Sequence, residues 1–307
     1  MVKIDLQIPE EWFVDEFRGE DFVSRRQKEI WAVELDMLYK VQQICEKHNI
    51  KWWIDAGTLL GAVRHGGFIP WDDDIDVVMF PDDYDKFNQV AAQELEEPYF
   101  LQTDDRDNVF YCHTKIRRTD TTGILTKDRA AAFDFNQGIF IDIFPLDFVP
   151  SDEQLYIDYV DYLALTKKEM LFAKNRYWNY ARDNESIINH AKELRAEYEI
   201  IRRWYKDSGS NVVANLSLPS IKPEIRKYTD EFQDTIYMDF EMLNVPAPSG
   251  FNTILCRLYG DYMKPVKAQN MHGTVIFNAD KSYKESPFIK GHENWINPFK
   301  NENDSNN

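Results

Sequence analysis

Four aspartates crowd into five positions, Asp72, Asp73, Asp74 and Asp76, and an apolar run from Ile75 to Phe80 starts among them. Side chains alternate along a strand, so Asp74 and Asp76 are predicted to share one face, with Asp73 turned to solvent. Paired carboxylates repel unless a cation or a proton lies between them. Hard carboxylate oxygens suit Mg²⁺ or Mn²⁺. Asp72 either ligates or caps the loop. Asp142 stands alone in Gly138-Ile-Phe-Ile-Asp-Ile-Phe144. A lone acid in such a run is costly unless paired or metal-bound. It is therefore predicted on a strand beside Asp74 and Asp76, as third ligand or base. The plain alternative is a strand-end Asp facing solvent.

Other residues suit phosphate. Gly57-Thr58 opens a short helical stretch, whose first backbone N–H groups can cradle an anion. Arg64 offers forked donors beside His65, although a structural ion pair to one of the Asp is the plainer use. Lys115 is read either as a phosphate ligand or as a surface lysine. His272 is a substrate contact or a structural histidine. Trp52 and Trp53 read as core, with stacking on a base as the sharper alternative.

The elements that must position these groups follow from periodicity. Ser24-Arg-Arg-Gln27 fits a capping box, and apolar residues at helical spacing predict a helix near 25–48. Trp52 to Ile54 reads as a strand, 58–64 as a short helix and 66–70 as a loop. A strand at 75–80 and a helix at 82–95 follow, then strands near 99–103, 109–116 and 138–144. Ser151-Asp-Glu-Gln154 reads as a second capping box opening a helical stretch to about 206. Residues 1–23 read as an irregular lead-in, 218–270 as short mixed elements, and 301–307 as a disordered tail. One catalytic unit over 24–300 is expected, with a helical insertion at about 151–210 and a mixed α/β sheet flanked by helices.

Composition bounds the partners. The 307 residues carry a net charge of −17, which argues against nucleic acid. Residues 164–206 reverse the sign, with ten basic and six acidic side chains. That suits an anionic membrane surface or a polyphosphate-bearing partner, although a solvated face of mixed charge is the ordinary reading. Three distant cysteines fit neither a zinc site nor a disulfide framework. There is no signal-peptide pattern and no run long enough to span a membrane. A cytoplasmic protein is expected, with peripheral contact at the inner membrane face.

Four chemistries compete for the acids. A calcium loop of EF-hand type needs Gly and Glu where Val77 and Asp83 stand. A haloacid-dehalogenase-type phosphatase places its acid after the strand, not before it. A DxD glycosyltransferase using a nucleotide-sugar would place a longer nucleotide-binding region ahead of the motif. A nucleotidyltransferase-type fold fits best: strand, Gly-Thr turn, short helix, DxD strand, then a later acid. A non-catalytic nucleotide-binding relative is the further alternative.

The run Gly57-Thr-Leu-Leu-Gly-Ala-Val-Arg-His-Gly-Gly-Phe-Ile-Pro-Trp-Asp-Asp-Asp-Ile-Asp-Val-Val-Met79 resembles the LicD/fukutin-related phosphotransferases. Gly138 to Asp147 is similar to that family's second acidic motif, and Leu258 to Val266, with His272 beyond, to its C-terminal one. The resemblance implies transfer of phosphocholine or a polyol phosphate from a CDP-linked donor to a glycan or lipid-linked glycan, with release of CMP. Bacterial members place phosphocholine on cell-surface glycans, so lipopolysaccharide or teichoic acid is the kind of product implied. It also implies Asp72, Asp74 and Asp76 as a spaced acid trio, with Asp142 as the later acid. The chain lacks the zinc cluster of the animal branch, which favours a bacterial-type member and leaves the donor open.

Overall fold

The structure, a computed structural model, describes residues 1–107, 109–126, 135–180, 184–220, 222, 225–267 and 274–289. In chain order come the hairpin β1 (Glu16–Arg18) and β2 (Asp21–Val23), the helix α1 (Arg25–His48), β3 (Trp53–Ile54), α2 (Ala56–His65), β4 (Asp76–Met79) and α3 (Pro81–Glu94). Then follow β5 (Tyr99–Gln102), α4 (Asp104–Asp107), β6 (Thr114–Arg118), β7 (Thr122–Leu125), β8 (Ile139–Pro145) and β9 (Asp147–Phe148). A helical hairpin, α5 (Glu153–Tyr180) and α6 (Glu185–Ile201), precedes β10 (Val212–Ala214) and β11 (Lys227–Tyr228). The hairpin β12 (Thr235–Phe240) and β13 (Leu243–Pro248), α7 (Phe251–Tyr259) and β14 (Val275–Asn278) complete the described elements.

The centre is a mixed five-stranded sheet, ordered β3-β4-β8-β6-β5. Only β4 and β8 run parallel, and the neighbouring pairs are antiparallel. Strand β8 is buried along its whole length, as an apolar central strand should be. Helix α1 lies against this sheet and contributes Trp31, Val33, Leu35, Leu38 and Val41 to the main core. Its start is as the sequence suggests: the Ser24 hydroxyl accepts from the Gln27 N–H at 3.3 Å. The Gln27 side chain, however, donates to Pro70 O at 2.7 Å instead of returning to the cap.

Several expectations need correction. Residues 1–23 are not an irregular lead-in. They form a 3-10 turn at Glu10–Phe13 and the β1–β2 hairpin, and bury Leu6, Phe13 and Val23. The acid-bearing strand begins at Asp76, so Asp74 lies in the loop before it. The strand expected at 109–116 starts only at Thr114. The second capping box is displaced by one residue, because Asp152, not Ser151, accepts from the Leu155 N–H at 2.8 Å. Residues 301–307 and His272 lie outside the described residues. No helix among the described residues is long and apolar enough to cross a membrane.

The basic excess of 164–206 is largely spent inside the structure. Lys167 donates to the carbonyls of Tyr111 and Ser217, and Lys174 to Val109 O. Arg202 is buried and donates to Cys112 O. Arg195, Arg203 and Lys206 pair with Asp105, Asp85 and Asp82. These residues dock the helical hairpin onto the sheet domain and leave little positive charge to face a membrane.

Candidate active site

Strand register builds the site. Asp76 on β4 lies directly opposite Asp142 on β8, and Asp142 lies opposite Lys115 on β6. Residues opposite one another in adjacent strands project from the same face. Asp55 extends the row beyond β3, where its N–H donates to Asp76 O at 3.0 Å. One face of the sheet thus carries acid, acid, acid and lysine side by side. The expectation that Asp142 would sit on a strand next to Asp76 holds.

The loop before β4 adds Asp72, Asp73 and Asp74. One oxygen from each lies within 4.8 Å of the others, so the three half-buried acids could hold a metal ion. Asp73 is therefore not turned away to solvent as strand alternation suggested. Because the strand starts later, Asp73 belongs to a curled loop in which alternation does not apply. Gly57 makes room for this loop, since a Cβ there would lie 2.6 Å from Asp72 Oδ2. Thr58, buried in the first turn of α2, accepts from the Asp76 N–H at 2.8 Å. Between Asp55 and Gly57, Ala56 holds a φ of 45°, a left-handed conformation that costs about 1–2 kcal/mol for a residue with a Cβ.

Charge is unevenly shared along the row. Burial pushes the Asp76 carboxyl well above its usual range, and Asp74, Asp142, Asp55 and Asp72 push it the same way. Asp142 behaves oppositely. Burial would raise it, but the Lys115 ammonium and His113 hold it below the carboxylate range. Lys115 bonds Asp142, and the His113 Nε2–H donates to Asp142 Oδ1 at 2.8 Å. Lys115 is buried at the site, so the surface reading fails. Its ammonium also lies 4.0 Å from the centroid of the Phe140 ring. Burial lowers its pKa, with Asp142 opposing.

His113 was not singled out from the sequence. Burial brings its pKa down to about 4, against the pull of Asp142. It follows a tight backbone in which Phe110 and Cys112 have φ of 62° and 65°. Asp104 pins that backbone by accepting from the N–H groups of Tyr111 and Cys112 at 2.7 and 3.0 Å. Asp55 and Lys227, neither of them predicted as a site residue, form a buried ion pair at the end of the row. An Asp closing a Trp-Trp-Ile strand was a local signal for Asp55. Lys227 had none, because it arrives from 172 residues away.

Arg64 and His65 lie at the far end of α2 from Thr58. Arg64 donates to Tyr262 O at 3.0 Å, and its guanidinium lies 6.0 Å from the Trp71 ring centroid. His65 and Trp71 line a cavity of about 600 Å³ with Arg18, Asp21 and Glu241, next to the acid loop. Trp52 and Trp53 are core residues. Trp53 packs edge-on against Phe80 and Phe232 and donates to Thr235 Oγ1 at 3.0 Å, which rules out base stacking.

The model for the LicD/FKTN/FKRP nucleotidyltransferase domain matches residues 49–161. The chain is 28% identical over 275 residues to lipopolysaccharide cholinephosphotransferase LicD of Haemophilus influenzae, covering 80% of this chain and 95% of that protein. It is 37% identical over 51 residues to ribitol 5-phosphate transferase FKRP of Homo sapiens, covering 17% of this chain and 10% of that protein. A similarity of 34% over 107 residues extends to uncharacterized protein RP689 of Rickettsia prowazekii, covering 32% of this chain and 40% of that protein. Asp55, the acid loop, Lys115 and Asp142 all fall inside the matched span, so the site lies in the part of the chain that is similar to the LicD/FKTN/FKRP nucleotidyltransferase domain.

Proposed function

We propose that the protein transfers a substituted phosphate, phosphocholine or a polyol phosphate, from a CDP-activated donor to a hydroxyl of a cell-surface glycan or its precursor. The observation that carries this reading is the row of Asp76, Asp142 and Lys115 beneath the loop of Asp72, Asp73 and Asp74. The names of two relatives, a cholinephosphotransferase and a ribitol 5-phosphate transferase, support it. The acceptor oxygen bonds to the phosphorus that bears the alcohol. The bond from that phosphorus to the CMP oxygen breaks, CMP leaves, and the hydroxyl proton passes to a carboxylate or to water.

The chain's own groups divide this work. Asp72, Asp74, Asp76 and Asp142, with Asp73 in the same loop, would hold Mg²⁺ or Mn²⁺. Such a cation neutralises phosphate oxygens and the leaving group when bound. Asp142, kept ionised by Lys115 and His113, suits a ligand better than a base. Gly57 and Thr58 shape the turn that holds the loop. The cavity beside Trp71 and His65 is of a size to take a sugar unit.

Asp74→Asn and Asp142→Asn are each expected to lower transfer about 100-fold or more, with unchanged circular dichroism, because each removes a fixed charge from the reacting centre. Wild-type turnover in both variants would sink the assignment.

A further inference from the structure

Helix α1 holds the acid loop with one face. Gln27, Trp31 and Glu34 stand at i, i+4 and i+7, which a helix places in one stripe. Gln27 donates to Pro70 O at 2.7 Å, and the Trp31 indole N–H donates to Asp72 O at 2.9 Å. Trp31 is fixed in turn by stacking on Phe68, with ring centroids 4.6 Å apart and planes 2° from parallel. Two successive residues of the stripe therefore fasten the loop by its backbone. The third is a glutamate.

Glu34 is 0% exposed, and neither carboxylate oxygen has a hydrogen-bond partner among the described residues. Three other buried acids of this region are paired. Asp142 has Lys115 and His113, Asp55 has Lys227, and Asp36 has Arg118 and Tyr99. Burial raises its pKa well above the usual range, and the charges of Asp73, Asp74 and Asp72 push it the same way. A helix that needed only to pack here would carry leucine, since an orphaned buried carboxylate is costly. An acid is explained if something positive comes to lie between it and the loop.

We propose that Glu34 is a further carboxylate of the cation site, closing from the α1 side the cluster formed by Asp72, Asp73 and Asp74. Glu34 then acts as a positioning residue. It joins the cation, directly or through the cation's bound water, to the helix that already grips the loop. This inference rests on the cation-dependent reading above.

The test is Mn²⁺ titration of the full chain in the absence of any nucleotide, read by calorimetry. Four proteins are compared: wild type, Glu34→Gln, Glu34→Asp and Asp74→Asn. Loss of an outer partner of a metal site weakens binding by about 10–100-fold. Glu34→Gln is expected to raise the Mn²⁺ dissociation constant at least about tenfold, and Glu34→Asp, which keeps the charge, to stay within about threefold of wild type. The metal-free Glu34→Gln protein should melt no lower than wild type, because the uncompensated acid is gone. Should it fail to fold, Glu34→Met, apolar and close in volume, replaces it with the same expected loss of affinity. Binding by Glu34→Gln within about twofold of wild type, with binding lost in Asp74→Asn, would overturn the role of Glu34 alone. No Mn²⁺ binding by wild type, or binding unaffected by Asp74→Asn, would overturn the cation site itself and Glu34 with it.

Discussion

Gly57 shows how little room the site leaves. It lies in the first turn of α2, where alanine would ordinarily be the better helix former by up to about 1 kcal/mol. A Cβ would nevertheless stand 2.6 Å from Asp72 Oδ2, and the short aspartate side chain can retreat only by leaving the cluster. Gly57→Ala is therefore expected to leave the melting temperature within a few degrees of wild type. The same change should weaken Mn²⁺ binding several-fold in the calorimetric titration. Unchanged Mn²⁺ affinity would mean that Asp72 does not contribute to the cation site. Residue types alone pointed to Asp72, Asp74, Asp76, Gly57 and Thr58, because their spacing is local, and to Asp142, because it stands alone in an apolar run. The roles of Thr58 and Arg64 were less legible. Thr58 accepts from the Asp76 backbone, and Arg64 caps Tyr262 O, contacts that depend on how distant segments meet.

At the scale of elements, the β4–β8–β6 row depends on the segment that presents His113. The pKa of His113 in the fold, about 4, lies below its ordinary 6.5. The unfolded chain therefore takes up this proton first as pH falls. The neutral-histidine contribution is complete above about pH 6.5 and is lost progressively down to about pH 4. The shift is equivalent to a loss on the order of 3 kcal/mol. Asp104, raised to about 6 by burial, has the opposite sign: its contribution is present below 3.8 and lost as pH rises through 6. The informative quantity is thus the difference between wild type and His113→Gln. Urea titrations at several pH values should show wild type losing stability relative to the variant between pH 6.5 and 4. A difference that does not change across that window would show that His113 is not held neutral by its surroundings. No local pattern marks this support, because Phe110 and Cys112 have positive φ without being glycine, and Asp104 holds the backbone beside them. The strand start was misplaced for a related reason. Val77 to Phe80 is apolar throughout, but the acids before it belong to a loop whose Asp72 carbonyl is held by the Trp31 indole N–H.

Over the whole molecule, the mixed sheet and flanking helices were legible because long periodic segments such as α1 and uniformly apolar ones such as β8 admit few alternatives. The N-terminal hairpin was not. Its two short strands carry Phe17 and Phe22 on an exposed pair and bury only Val23, so no apolar alternation marks them. The charge reversal over 164–206 was legible as composition but not as purpose, since most of those cations dock the helical hairpin to the sheet domain. What remains is an acidic protein with its acids gathered at one end of a parallel strand pair and a lysine set against them. That arrangement suits a phosphate-bearing substrate held through a cation. The most direct measurement is the mass-spectrometric detection of released nucleotide with Mn²⁺ and an oligosaccharide acceptor, offering CDP-choline, CDP-ribitol, CDP-glycerol, UDP-glucose and GDP-mannose in turn. Release of CMP from one of the CDP-alcohols, matched by a phosphate-bearing acceptor and lost on chelation or in Asp74→Asn, is the expected result. Sugar transfer from UDP-glucose or GDP-mannose, with no CMP from any CDP-alcohol, would contradict it.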